Sequence, residues 1–129
     1  REKIQMNTNE LLDKVFKILE GTNSKDTVDG EFNIDDIYFF EYIKKRYVKI
    51  CSKSGDYHFN EKIGKIDIDM ASYNFFMPHQ SFVVNLKYVK DIKNYELLMT
   101  NGIRIPLSQK RAVLFRNALN NYLEKMLIL

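Results

Sequence analysis

The chain has no tryptophan, one cysteine, two prolines, five glycines and two histidines in 129 residues. With Cys51 alone there is no internal disulfide, and a reducing compartment fits. No apolar run approaches the ~20 residues that a membrane helix needs, and no signal peptide opens the chain. Nothing therefore directs it to a membrane, and a cytoplasmic setting is expected. The first residue is Arg1, without an initiator methionine, which reads as a fragment of something longer.

Catalytic groups are equally scarce. The sequence contains no HExxH, CxxC, GxGxxG, GxSxG or P-loop pattern. Cys51 falls in a predicted strand among apolar neighbours, the setting of a buried, inert thiol. Asp67 and Asp69 stand two residues apart near the end of a short predicted helix, so they point to different faces and read as solvated surface charges. His58 with Asp56 is a lone pairing, short of a metal-ligand set. No nucleophile, base and orienter come together, so the chain reads as a non-enzyme with neither metal nor cofactor.

What is present is an ordinary globular composition, 45% hydrophobic and 29% charged, with eight tyrosines and nine phenylalanines that lean toward strands. The net charge of +3 is unevenly spread. Residues 1–41 carry five Lys/Arg against ten Asp/Glu, whereas residues 42–129 carry fifteen against seven. Residues 42–129, at +8, suit a polyanion, although solvated surface lysines also produce such a value.

Along the chain, residues 6–20 repeat Leu11, Leu12, Val15, Phe16 and Leu19 at helical spacing, with Thr8 or Asn9 as N-cap and Gly21 as stop. Residues 21–31 are polar and turn-rich, which places a domain boundary there: a helix and linker over 1–31, then a body over 32–129. From Phe32 the period shortens. IDDIYFFEYI holds a strand, and YVKICSKSGDYHF predicts two strands about a Ser-Gly-Asp turn. Residues 61–71 predict a short helix, against the grain of Gly64 and the isoleucines. NFFMPHQ, SFVVNLKYV and KDIKNYELLMT follow, and Asn101-Gly102 signals a hairpin from ELLMT into IRIPL. Ser108 caps a last helix whose stripe is Phe115, Leu119, Tyr122 and Met126. The expected fold is mainly β with short helices, flanked by a helix at each end.

Four ordered segments resemble the LytTR family of bacterial DNA-binding domains. They are Ile34-Asp35-Asp36-Ile37-Tyr38-Phe39-Phe40-Glu41, Tyr47-Val48-Lys49-Ile50, Phe75 to Asn85, and Asn101 to Arg111. The third, with Pro78-His79-Gln80-Ser81-Phe82-Val83-Val84-Asn85, is the most specific. The resemblance implies a LytTR-like multi-sheet β fold and a sequence-specific transcriptional regulator, commonly the output domain of a two-component response regulator. It implies loops, not a recognition helix, inserted into the major groove of tandem promoter repeats in double-stranded DNA, with a homodimer on the DNA as an open possibility.

Carried onto this sequence, the resemblance places base readout at Arg46, Tyr47, Gln80, Gln109 and Arg111, and phosphate contact or loop orientation at Lys44, Lys45, His79, Ser81 and Lys110. The chemistry suits those roles. Lys44-Lys45-Arg46 puts three cations in a row between strands, fit for phosphates or guanine O6/N7. The family often has a histidine or arginine reader near Tyr47 and an arginine at Gln109, and here the chain differs. Glutamine at 80 and 109 supplies an amide that can pair with adenine N6/N7. His79 can orient its loop through a ring nitrogen, Ser81 can reach a phosphate, and Asn85 suits a loop tie. Lys110 and Arg111 open a helix whose N-terminal amides favour phosphate. The alternative reading is a protein-interaction module that docks partners through its terminal helices.

Overall fold

The computed structural model describes residues 33–128, so the helix expected over 6–20 and the boundary near residue 31 lie outside the described residues. After a 3-10 turn at Ile34–Asp36 come β1 (Ile37–Lys44), β2 (Tyr47–Ser52) and β3 (Gly55–Phe59), then α1 (Ile63–Met70), β4 (Phe75–His79) and β5 (Phe82–Asn85). A second sheet follows, of β6 (Val89–Lys93), β7 (Glu96–Met99) and β8 (Arg104–Pro106), and the described chain ends in α2 (Gln109–Ile128). The first sheet is antiparallel in the order β3-β2-β1-β5-β4; the second runs β6-β7-β8.

The continuous apolar run of β1 has a physical reason. The five-stranded sheet is covered on both faces, so its central strand must be apolar on both. One face carries Ile37, Phe40, Val48, Ile50, Phe59, Phe75 and Val83 under Ile66 and Met70 of α1. The other carries Phe39, Cys51 and Val84 against Leu97, Met99 and Ile105 of the second sheet and Ala112, Phe115 and Leu119 of α2. A register shift between Ile37 and Phe39 breaks the strict alternation. That bulge is what lets Ile37 and Phe40, three apart, share a face.

Several expectations shift by a residue. The β2–β3 turn is Lys53-Ser54, and Gly55 already opens β3 at φ 129°, a value that favours glycine. Lys44 ends β1, so the β1–β2 turn is only Lys45-Arg46. The Asn101-Gly102 hairpin exists, but as a three-residue loop: Met99 pairs with Ile103, and Gly102 takes φ 90°. Met126 does not join the α2 stripe. It is 52% exposed, because the contact with the sheets ends at Tyr122. Asp69 is not a solvated charge either; it is 5% exposed and accepts from Lys65 Nζ at 2.7 Å. An i,i+4 cation, itself exposed, compensates the buried carboxylate.

Asn85 ties the end of the sheet that lies away from the β1–β2 turn. Its amide donates to the Ile37 carbonyl at 3.0 Å, and its Oδ1 accepts from the Lys87 amide at 3.1 Å. Asn85→Ala would leave the Ile37 carbonyl buried without that donor. A loss of about 1–3 kcal/mol is expected in urea denaturation. A loss below about 0.5 kcal/mol, the size of an inert surface change, would show that the tie is dispensable.

Candidate nucleic-acid interface

Because both faces of the large sheet are covered, polar chemistry is left to its ends. Three of the segments singled out in the sequence meet at one of them. Tyr42 N–H donates to the Ser81 carbonyl at 2.8 Å, fastening the end of β1 to the β4–β5 turn. Ser108 N–H donates to the Pro78 carbonyl at 2.9 Å, fastening the start of α2 to the end of β4. Pro78 has no amide to give to a ladder and sits where β4 and β5 fall out of register, so its carbonyl is turned toward this outside partner. The strand order sets the two turns two strand spacings apart, about 10 Å.

At the first turn Lys44, Lys45 and Arg46 are all exposed, and Arg46 takes φ 58° to close the two-residue connection. Tyr47 is half-buried and held in place: its ring stacks on His58 with centroids 5.4 Å apart and 13° between planes, and Lys44 Nζ lies 5.4 Å from its centre. His58 is the residue that positions Tyr47. It sits on β3, diagonal to Tyr47 across the β2–β3 pair, a placement that only the strand register determines.

At the second turn Gln80 is exposed at the tip, between half-buried His79 and Ser81. The Ser81 amide donates to His79 Nδ1 at 3.1 Å. Nδ1 is therefore the acceptor, and in the neutral ring the proton belongs to Nε2. The ring also meets Phe82 edge-on at 6.0 Å, so His79 braces the turn that presents Gln80. At the third segment Ser108 Oγ accepts from the Arg111 amide at 3.2 Å, the expected N-cap. Gln109 and Lys110 are exposed, whereas Arg111 is half-buried. Arg111 lies close enough to Asp67 of α1 to lower that carboxyl's pKa, while burial, the larger influence, raises it.

All ten residues proposed from the sequence thus lie on these three segments, at one end of the molecule. The sequence did not point to His58, to Asp67 as the carboxylate opposite Arg111, or to Asn60 and Lys62, which follow β3 at the same end. A cation just ahead of a helical pattern is visible in the sequence at Lys62, but the end of the sheet it faces is not.

Other candidates fall away. Cys51 is 5% exposed, and burial with the nearby Asp56 carboxylate pushes its thiol up to about 11, far from a nucleophile. Lys49, on the same sheet end, is engaged by Glu41 at 3.4 Å and Asp56 at 3.9 Å. Among the described residues no three His, Cys, Asp or Glu side chains gather as a metal site, and no helix is long and apolar enough to cross a membrane.

Comparison with known proteins bears on the family and the fold. The family model described as the LytTr DNA-binding domain matches residues 31–120. Among solved structures, the chain resembles the LytTr DNA-binding domain of a protein described as a methyl-accepting/DNA response regulator from Bacillus cereus. That match has 24% identity, a TM-score of 0.60, and coverage of 68% of this chain and 84% of the other. No curated protein matches the sequence.

The Asp67 carboxylate lies near Arg111 without a direct ion pair, and its charge opposes an approaching polyanion. Asp67→Asn is expected to raise affinity for random-sequence duplex a few-fold at low salt, with the gain shrinking as salt is added. An unchanged or weakened affinity in a titration at 50 mM salt would show that Asp67 helps binding by holding Arg111 and does not oppose it.

Proposed function

We propose that this chain, which belongs to the LytTR family of DNA-binding domains, binds double-stranded DNA sequence-specifically through the polar end of its five-stranded sheet, as the output domain of a cytoplasmic response regulator. The observation that carries this reading is the convergence there of three segments rich in exposed cations and amides, on a sheet whose faces are both occupied.

In this reading the β1–β2 and β4–β5 turns enter the major groove of promoter repeats. Arg46, Tyr47 and Gln80 present base-reading groups, and Lys44, Lys45, Ser81 and Lys110 take phosphates. A separation of about 10 Å between the turns corresponds to about three base pairs of B-DNA. Gln109 cannot be far away. The Pro78–Ser108 hydrogen bond and the reach of three residues keep the Cα atoms of Gln80 and Gln109 within roughly 18 Å, about half the ~34 Å helical repeat. The two amides therefore read neighbouring parts of one half-site, with Arg111 beside Gln109, and a tandem repeat is read by a second copy.

Residues 1–31 carry five Lys/Arg against seven Asp/Glu, add no net positive charge, and are dispensable for binding in this reading. The alternative, docking of a protein partner through the terminal helices, draws on one observation: Leu123, Met126, Leu127 and Ile128 leave the end of α2 apolar and exposed. Salt separates the two readings. Duplex binding falls steeply with salt as counterions are released, whereas an apolar helix contact responds weakly.

Gln80→Ala and Gln109→Ala are each expected to cost about 1–3 kcal/mol on the cognate site and to relax preference at one position only, with random-sequence binding nearly unchanged. Titration of each variant against a randomised operator library checks this. If both keep the wild-type preference, base reading rests on Arg46 and Arg111 instead.

A further inference from the structure

Beside the β1–β2 turn lies a cleft of about 300 Å³ lined by Arg46, Asn60, Glu61, Lys62 and Lys65. The chain leaving β3 forms one wall: Glu61 N–H donates to the Arg46 carbonyl at 3.1 Å, which fixes the start of α1 against the turn. Charges inside the cleft divide in two. Lys65 is engaged by Asp69 at 2.7 Å and Glu61 at 3.9 Å. Arg46 and Lys62 pair with no carboxylate among the described residues.

The helix that begins here is built oddly for a purely structural element. Lys62 occupies its N-cap without a side-chain cap bond; its carbonyl accepts from the Lys65 and Ile66 amides, and its side chain offers nothing to the Ile63 and Gly64 amides ahead of them. Gly64 follows in the first turn, although glycine weakens a helix and a Cβ at that position would meet nothing within 4 Å. Neither backbone conformation nor packing asks for glycine there. The open space over Gly64 leaves room for an anion to approach the backbone.

We infer that this cleft is a phosphate-binding site, gripped by Lys62 and Asn60 with Arg46 at its rim, that holds the DNA backbone beyond the base-reading turns. The inference rests on the proposed DNA-binding reading and extends its footprint past β2 to the β3 side of the sheet. Five strands at about 4.8 Å spacing make that end roughly 19 Å wide. A duplex presents a charge for every ~1.7 Å of its axis, so one that spans this end carries several phosphates past the cleft.

The test is Lys62→Gln in the full chain, titrated with specific and random-sequence duplexes across a range of salt, beside Lys90→Gln as a control. Lys90 is also exposed but lies at the start of β6, just after the 3-10 turn at Leu86–Tyr88 that follows the far end of β5. One lost phosphate contact lowers the salt slope by roughly 0.9 and weakens both duplexes about eightfold at 0.1 M salt, an effect that fades toward 1 M. Lys62→Gln is expected to show this loss, Lys62→Arg to restore binding, and Lys90→Gln to leave the slope unchanged. Equal losses in Lys62→Gln and Lys90→Gln would reduce the effect to net charge and overturn the site, as would an unchanged slope in Lys62→Gln with the wild type binding normally. A wild-type chain that binds no duplex in a salt-dependent way overturns the DNA-binding reading itself, and the site with it.

Discussion

The rest of the structure depends on burial of one antiparallel sheet on both of its faces. Phe39 and Phe40, adjacent in β1 and both at most 1% exposed, point into separate halves of the core. A sheet enclosed in this way has no face to offer a ligand. Its edges and ends are the remaining polar backbone, and the chain uses one end for ties and the other for exposed charge. At the tied end Asn85 and Tyr88 bond back to the carbonyls of Ile37 and Asp35. At the other end, Lys44, Lys45, Arg46, Gln80, Gln109 and Lys110 are exposed and share no ion pair among the described residues.

Ion pairing separates Lys49 from the cations proposed to bind at this end of the sheet. Lys49 sits within the same end of the sheet, yet Glu41 and Asp56 hold it across the strands. Exposed pairs of this kind contribute little to stability, about 0–1 kcal/mol. Their larger consequence is to cancel charge that would otherwise join the polar end. Rigidity matters as much as charge there. His79 braces one turn through Nδ1, and His58 braces the other by stacking on Tyr47, so both presenting turns are set before any ligand arrives.

Much of this was legible in the sequence, for identifiable reasons. Ser108 followed by an apolar repeat marked the start of α2, and its hydroxyl does cap it. Asn101-Gly102 marked a hairpin because a residue at positive φ was needed, although the loop took three residues. Cys51 read as an inert thiol, and burial makes it one. What was not legible is what strand order decides. Nothing local says that β5 inserts between β1 and β4, and that insertion brings the turn at Gln80 beside the turn at Arg46. Asp69 read as solvated because nothing local shows that it falls on the buried side of α1, with its charge met by the more exposed Lys65. Met126 read as core because the helical pattern outlasts the sheet beneath it.

The central claim is that one end of the five-stranded sheet meets DNA while both faces and the opposite end do not. Backbone amide shifts of the full chain, followed through titration with a short duplex at low salt, test it most directly. The largest changes are expected at residues 44–47, 60–65, 79–81 and 108–111, with residues 85–93 nearly still. Changes centred on β6 and β7, or on the exposed end of α2 near Leu123 and Leu127, would contradict it.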